Sequence, residues 1–266
     1  MKWLITGDTH GTVASRLMNI GDTDYPQNDT AIIILGDAGI NFYLNKTDKK
    51  NKKILTNNFG YQIYCVRGNH EERPENIPGM EVYWDEIVEN YIYYEPEYPN
   101  IKYFMDGKVY NINGWKTLVI GGAYSVDKWY RLSHAPDNAK WTGWFPEEQL
   151  TAEEMITIEQ QHSGQHFDFI LSHTCPESWQ PFDLFLQGLD QSTVDKTMEV
   201  WMEKFKNTVT WDVWLFGHFH DDRLVRPHVE MFYTDIEDME TIYHRWTSGE
   251  ELPWWLPKDP NYEEVE

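Results

Sequence analysis

Short apolar runs recur along the chain, and each ends in a polar segment that contains glycine or serine. Near-continuous apolar runs of this length are typical of strands that are covered on both faces, as in parallel sheets. We therefore predict a buried strand at each run. The runs are WLIT (3–6), AIIIL (31–35), YQIYCV (61–66), TLVIGGAY (117–124), FDFIL (167–171) and VWLF (213–216).

Helical patterns lie between these runs. Segments 12–20 and 46–57 separate the first three runs, which predicts a βαβαβ beginning. A proline and acidic residues open segment 146–162, as at many helix starts, and a further helix is predicted over 193–206. We expect an α/β protein with two packed sheets. Short strands that pair antiparallel are predicted at EVYW (81–84), YIYYE (91–95), IKYFM (101–105) and KVYNING (108–114).

The composition is that of a folded protein of 266 residues, because 41% of the residues are hydrophobic and there are 13 Trp and 16 Tyr. Disordered chains contain few aromatic residues. No apolar run approaches the roughly 18 residues of a membrane helix. Asp8 comes too early for the apolar region of a signal peptide. Two cysteines, Cys65 and Cys175, do not make a disulfide framework, which predicts a cytoplasmic protein. Since no apolar run is long enough for a membrane helix, no membrane partner is expected.

Acidic residues outnumber basic ones by 44 to 22, so the formal net charge is −22. A field of this sign repels polyanions and disfavours binding to extended nucleic acid. Part of the excess lies after residue 234, where only Arg245 and Lys258 oppose the acids. We predict one domain over residues 1–234 and an acidic, Trp- and Pro-containing extension over residues 235–266 that packs on it.

Five predicted strand ends carry side chains of the types that bind divalent metals. One such loop alone is equally well a polar turn, but five in one chain are hard to assign to turn chemistry. Imidazole and carboxylate together suit Zn, Fe, Mn or Ni, whereas a structural thiolate zinc site would need a cysteine cluster. Seven donors exceed the four of a tetrahedral ion, so two ions are expected. The donors are Asp8, His10, Asp37, Asn69, His173, His218 and His220.

The motifs GDTHG, GDAG, GNHE, SHT and GHFH, in this order over residues 7–220, resemble those of the calcineurin-like metallophosphoesterases. The resemblance implies a four-layer α/β/β/α sandwich in which two mixed β-sheets are flanked by helices. It also implies a binuclear metal centre at the strand ends, with Asp37 bridging the ions and His70 facing the substrate. By motif position, Asp8, His10 and His220 would hold the first ion, and Asn69, His173 and His218 the second.

The chemistry that the resemblance implies is hydrolysis of a phosphomonoester or phosphodiester of a small molecule. Two divalent ions (Mn, Fe or Zn) can hold the attacking and leaving oxygens together and supply hydroxide at neutral pH. Asp37 and His70 are the expected catalytic residues, and His70 can donate a proton to the leaving oxygen. The stretch GGAYSVDKWYR (121–131) is similar to that of bacterial and phage members of the family.

One stretch departs from the pattern of the family's protein phosphatases, which have GDxxDRG where this chain has GDAGINF (36–42). Ile40 and Asn41 occupy the places of the Asp that would orient His70 and of the Arg that would grip phosphate. Phosphoprotein substrates are therefore disfavoured. Candidate substrate-binding residues are Arg67, Arg73, Arg131 and Tyr124, although Arg131 is equally well placed in a surface ion pair.

Three other functions remain open from the sequence. A Ser/Thr-type protein phosphatase and a nuclease share the motifs, and the acidic charge speaks against the nuclease. An inactive scaffold that keeps the fold would usually have lost several ligands, whereas all seven are present here.

Overall fold

Strands and helices alternate along most of the chain. The computed structural model describes residues 1–21, 23–135, 141–185, 191–253 and 255–260. The strands in these ranges are β1 (Lys2–Thr6), β2 (Thr30–Ile34), β3 (Gln62–Cys65), β4 (Glu81–Asp85), β5 (Asn90–Tyr94), β6 (Ile101–Tyr103), β7 (Val109–Ile112), β8 (Trp115–Ile120), β9 (His166–Ser172), β10 (Thr210–Phe216), β11 (Arg223–Arg226), β12 (Val229–Met231) and β13 (Ile236–Asp238). The helices are α1 (Val13–Leu17), α2 (Lys46–Asn58), α3 (Lys128–His134), α4 (Ala152–His162), α5 (Thr197–Phe205) and α6 (Met239–Thr247).

Two mixed sheets contain these strands. The first has seven strands in the order β13-β1-β2-β3-β6-β5-β4, and β1, β2, β3 and β6 run parallel in it. The second has six strands in the order β11-β12-β10-β9-β8-β7, and β8, β9, β10 and β12 run parallel in it. The remaining strands pair antiparallel at the sheet edges. The expected pair of mixed sheets is confirmed.

Successive side chains of each strand point to opposite faces of its sheet, and this alternation explains how the layers stack. Ile5 and Ile33 of the first sheet and Leu171 and Leu215 of the second belong to one buried cluster between the sheets. Residues that point the other way in the first sheet pack on α1 and α2. Those that point outward from the second sheet pack on α4 and α5. Each sheet is therefore covered on both faces, and the four-layer α/β/β/α arrangement follows.

Several helix boundaries differ from those that the sequence predicts. The helix predicted over 146–162 begins at Ala152, because Thr151 and Glu154 form a reciprocal capping box at that point. The helices predicted over 12–20 and 193–206 are shorter, spanning Val13–Leu17 and Thr197–Phe205. Helices α3 and α6 were not predicted. Both are short, and their stability depends on tertiary packing more than on local pattern.

The antiparallel pairing expected between residues 81 and 114 is present for β4–β5, β5–β6 and β7–β8. Strand β6, however, pairs parallel with β3. The chain reverses direction twice between β4 and β6, so β6 ends up with the orientation of the first three strands. It extends the parallel part of the sheet.

Part of the acidic segment after residue 234 joins the fold. Strand β13 pairs antiparallel with β1, and α6 places Met239 and Ile242 in the cluster between the two sheets. The division of the chain at residue 234 stays a prediction. Trp254 and residues 261–266 of the predicted extension lie outside the described residues. Within the described ranges, no helix is both long enough and apolar enough to cross a membrane.

Replacing Ile242 by alanine tests whether the acidic segment contributes to the core. Ile242 is fully buried, so Ile242→Ala should lower the free energy of unfolding by about 2–5 kcal/mol. The matched control is Ile156→Ala, because Ile156 is 54% exposed on α4 and its loss should cost less than about 0.5 kcal/mol. Urea unfolding of both variants measures the difference. Equal losses of stability would contradict the packing of α6.

Candidate metal centre

The seven candidate ligands follow strands whose carboxyl ends lie on the same side of the sandwich. Asp8, Asp37 and Asn69 come after β1, β2 and β3 of the first sheet. His173 and His218 come after β9 and β10 of the second. Parallel strands bring their carboxyl ends to one edge, which is where open α/β sheets place ligands. The described structure brings these side chains together across the gap between the two sheets.

One group of donors consists of Asp8, His10 and His220. The Nε2 atoms of the two histidines are 2.9 Å apart, and the Oδ2 atom of Asp8 lies 3.2 Å from Nε2 of His220 and 3.8 Å from that of His10. Ligands about 2.0–2.1 Å from a tetrahedral ion are about 3.3 Å from each other. The spacing of these three atoms therefore fits donors to a single cation.

A second group consists of Asn69, His173 and Asp37. Nε2 of His173 lies 2.8 Å from Oδ1 of Asn69 and 3.7 Å from Oδ2 of Asp37. The ring of His218 lies beside that of His173, with 5.0 Å between the ring centroids. Asp8 links the two groups, because its Oδ1 atom is 4.0 Å from Nδ1 of His173.

The hydrogen bonds of His173 show that its Nε2 atom is available to a metal. Nδ1 is 2.7 Å from the carbonyl oxygen of Leu35, and a carbonyl can only accept, so Nδ1 carries the proton. In the neutral ring Nε2 then has a free lone pair, and it faces the amide oxygen of Asn69. Two acceptors held this close repel each other, and a shared cation would remove the repulsion.

Each candidate carboxylate uses one oxygen to bind another loop and leaves the second oxygen for the centre. Oδ1 of Asp8 accepts a hydrogen bond from the backbone N–H of His218 at 2.9 Å. Oδ1 of Asp37 accepts one from the backbone N–H of His70 at 2.8 Å. Oδ2 of Asp8 is buried and has no hydrogen-bond partner among the described residues. A buried carboxylate oxygen without a donor is costly, and a cation would satisfy it.

Two motif glycines permit the close approach of the loops. Gly36 has a φ of +96°, and a Cβ atom there would lie 2.0 Å from Nδ1 of His173. A Cβ atom at Gly68 would lie 2.0 Å from Oδ1 of Asp37. Any larger residue would therefore displace a candidate ligand.

Four candidate ligands have a left-handed backbone conformation that residues other than glycine rarely adopt. The φ angles are +43° for His10, +46° for Asp37, +71° for His218 and +58° for His220. Such conformations persist where the surrounding structure holds them, and they concentrate at functional sites. In this centre, the left-handed conformation turns the side chains of the four residues toward one another.

The electrostatics of the centre favour the protonation states that metal ligands need. Burial alone would raise the pKa of Asp8, but His173, His220 and the His218 N–H lower it to about 2. Burial lowers the pKa of His218 to about 3, so its imidazole is neutral near pH 7. The adjacent carboxylate of Asp8 raises the pKa of His220. The ionised Asp8 and the neutral His218 are in the states that a divalent cation needs, whereas His220 would release its proton when a cation binds.

His70 lies at the side of the centre. Its ring centroid is 5.9 Å from that of His10, and its Nδ1 atom is buried with no hydrogen-bond partner among the described residues. Burial lowers the pKa of His70, Asp37 raises it, and the positive charge of Arg131 lowers it further. Ile40 and Asn41, at the places of the Asp and Arg of GDxxDRG, are both buried. The carboxylates that act on His70 are instead those of Asp37 and Asp127, and both raise its pKa.

The four candidate substrate-binding residues differ in their surroundings. Arg67 and Arg73 are buried and form ion pairs with Asp106 and Glu154, and both also donate to backbone carbonyls. Their guanidinium groups are occupied by these partners, and a role in substrate binding stays a prediction. The hydroxyl of the buried Tyr124 donates to the carbonyl of Thr193 at 3.3 Å.

Arg131 is placed differently from the other two arginines. It is half-buried, its Nε donates to Asp127 at 2.6 Å, and its Nη1 donates to the carbonyl of Gly143 at 2.7 Å. Its guanidinium carbon lies 5.5 Å from the centre of the Phe42 ring, and that ring lies 6.5 Å from the ring of His70. The guanidinium therefore stands on the His70 side of the centre.

Two further residues near the centre, Ser125 and Glu148, are not predicted from the sequence. Ser125 accepts a hydrogen bond from Asn69, and Glu148 is buried beside Ser125. Ser125 follows the carboxyl end of β8. Its loop is therefore of the same kind as the loops that carry the seven candidate ligands, which also follow the carboxyl ends of strands. No sequence signal marks Glu148, which lies in a turn between α3 and α4.

The sequence model of the calcineurin-like phosphoesterase family matches residues 1–222. That range covers most of the chain and includes all seven candidate ligands, so the chain belongs to this family. Membership implies metal-dependent hydrolysis of phosphate esters. A comparison with curated proteins finds no match.

Glu71 is predicted to make the stability of the metal-free protein depend on pH. This carboxyl is buried, its Oε1 accepts from the N–H of Gly68, and burial together with the charge of Asp37 raises its pKa from 4.5 to about 8. The folded state thus binds a proton that the unfolded state releases, and stability falls as pH rises from about 4.5 to about 8. The resulting decrease in the free energy of unfolding approaches about 1.4 kcal/mol per pH unit.

Glu71→Gln should remove that contribution, because glutamine keeps an acceptor for Gly68 and does not ionise. Urea unfolding of chelator-treated protein between pH 5 and pH 8 measures the slope. Glu86→Gln, at an exposed position, is the control and should keep the slope of the unsubstituted protein. Parallel slopes for all three proteins would show that Glu71 does not titrate in this range.

Proposed function

We propose that the protein is a metal-dependent phosphoesterase that hydrolyses a phosphomonoester or phosphodiester of a small molecule. One observation carries the proposal. Candidate donor atoms of five loops converge at one end of the sandwich, and the buried Oδ2 atom of Asp8 makes no hydrogen bond among the described residues. Such a set of donors is stable when divalent cations are bound.

The geometry supports two cation positions. Asp8, His10 and His220 would hold one ion, Asn69, His173 and His218 the other, and Asp37 would lie between them. When bound, Mn, Fe or Zn ions at these positions would supply positive charge to the phosphate and lower the pKa of water. Two dications would bring a local charge of +4 against −2 from Asp8 and Asp37. This local excess would attract phosphate in spite of the overall charge of −22.

The chain itself contributes positioning and proton transfer. His70 would donate a proton to the leaving oxygen, since its ring lies beside the centre. Because burial lowers its pKa, its protonated form is a stronger acid than an exposed imidazolium. Arg131 would bind a phosphate oxygen from the His70 side. Asp127 and Gly143 hold its guanidinium, so little side-chain entropy is lost on binding.

The alternatives fit the structure less well. Ile40 and Asn41 are buried where protein phosphatases of the family place an Asp and an Arg. The charge of −22 opposes a nuclease that tracks a long polyanion. An inactive scaffold would have no reason to retain all seven donors in one place. Both cysteines are free and buried, which supports our proposal of a cytoplasmic enzyme.

Hydrolysis of p-nitrophenyl phosphate and of its bis ester tests the proposed activity. With Mn²⁺ added, the protein should hydrolyse at least one of them, and chelation should abolish the rate. Asp37→Ala and His220→Ala should each lower kcat/KM by about 100-fold or more, because each removes a candidate ligand. His166→Ala is the matched control at the opposite end of β9 and should retain full activity. No hydrolysis of any ester by metal-loaded protein would refute the proposal.

Replacing Arg131 tests its role in binding phosphate. A charge-assisted hydrogen bond contributes about 1.5–3 kcal/mol, so Arg131→Ala should lower kcat/KM about 10- to 100-fold. Arg131→Lys should recover part of the loss, because it keeps the charge without the fixed fork. Arg226→Ala, at an exposed arginine of β11, controls for the loss of a positive charge. An unchanged kcat/KM in Arg131→Ala would assign Arg131 to the surface ion pair alone.

A further inference from the structure

The amide of Asn69 has two ends of opposite chemistry. Its Oδ1 atom can bind a cation, whereas the hydrogens on Nδ2 would repel one. Rotation of the amide by 180° exchanges the two ends at little cost in shape. The affinity of a cation for this position therefore depends on what holds the amide in one orientation.

The contacts of Asn69 are different at its two ends. Nδ2 lies 2.9 Å from Oγ of Ser125, and Oδ1 lies 2.8 Å from Nε2 of His173. The side chains of all three residues are buried. The orientation in which Oδ1 faces the centre requires that the hydroxyl of Ser125 act as an acceptor.

The oxygen of Ser125 is the acceptor in this contact. An amide Nδ2 can only donate, whereas a hydroxyl has lone pairs as well as a proton, so the Ser125 oxygen accepts from Asn69 when its own proton points away. Glu148, which is only 3% exposed, lies beside Ser125. Burial raises the pKa of Glu148, and the neighbouring Ser125 and Lys128 lower it.

We propose that Ser125 is a positioning residue that orients the amide of Asn69, so that Oδ1 faces the cation shared with His173. The proposal rests on the proposed function, since it concerns the affinity of one of its two ions. It adds a residue outside the seven candidate ligands, on the loop after β8.

Titration of the metal-free full-length protein with Mn²⁺, followed by calorimetry and by metal analysis after gel filtration, tests this role. Groups that orient metal ligands typically contribute about 10- to 100-fold in metal affinity. Ser125→Ala should therefore weaken one of the two ions by about 10- to 100-fold and leave the other unchanged.

Ser172→Ala is the matched control. Ser172 is as buried as Ser125 and also makes two hydrogen bonds, one to the carbonyl of Thr174 and one from the indole N–H of Trp214. Neither bond involves a candidate ligand side chain. This variant should bind both ions as the unsubstituted protein does, and thermal unfolding of the metal-free variants reports any general loss of stability.

A double-mutant cycle separates orientation from simple packing. In Asn69→Asp both ends of the side chain are oxygens, so the ion no longer depends on Ser125 to select one. Adding Ser125→Ala to Asn69→Asp should change the affinity by less than about twofold. A merely structural role for Ser125 would weaken the ion equally in both backgrounds.

The outcomes distinguish this proposal from the proposed function. If the unsubstituted protein binds no ions, the proposed function fails. If it binds two ions and Ser125→Ala binds both with unchanged affinity, only the role of Ser125 is overturned. An equal loss in Ser172→Ala, or an equal effect of Ser125→Ala in the Asn69→Asp background, would also overturn it.

Discussion

The centre depends on two hydrogen bonds from backbone N–H groups to aspartate side chains of other loops. The bond between Asp8 and the N–H of His218 connects the first sheet to the second, and that between Asp37 and the N–H of His70 connects adjacent loops of the first. Each bond directs the second carboxylate oxygen into the space between the sheets. The loops thus fix one another and hold the candidate donors rigidly in place.

This rigidity has an energetic cost. Four candidate ligands have positive φ angles, one carboxylate oxygen is buried without a donor, and Glu71 is buried close to Asp37. The large apolar cluster between the sheets, together with the helices on their outer faces, stabilises the fold enough to hold these features. Bound cations would offset part of the cost, because they bind the folded protein in preference to the unfolded chain.

The basic residues near the centre divide into two groups with different roles. Arg67 and Arg73 neutralise the half-buried carboxylates of Asp106 and Glu154 and donate to backbone carbonyls. Arg131 belongs to the short helix α3, where Asp127 and the ring of Phe42 hold it beside His70. In a chain of net charge −22, the proposed pair of cations together with one oriented guanidinium would create a local attraction for phosphate.

The two sheets, most of the strands and the set of seven candidate ligands could be predicted from the amino-acid sequence. This was possible because apolar runs and the polar residues that follow them are local features. The arginine on the His70 side of the centre could be identified only from the folded chain, since Arg67, Arg73 and Arg131 are alike in sequence and differ in their partners. The folded chain also revealed the strand and helix after residue 234 and the contact of Ser125 with Asn69. These depend on segments that are distant in the chain, and no local pattern records which distant groups meet.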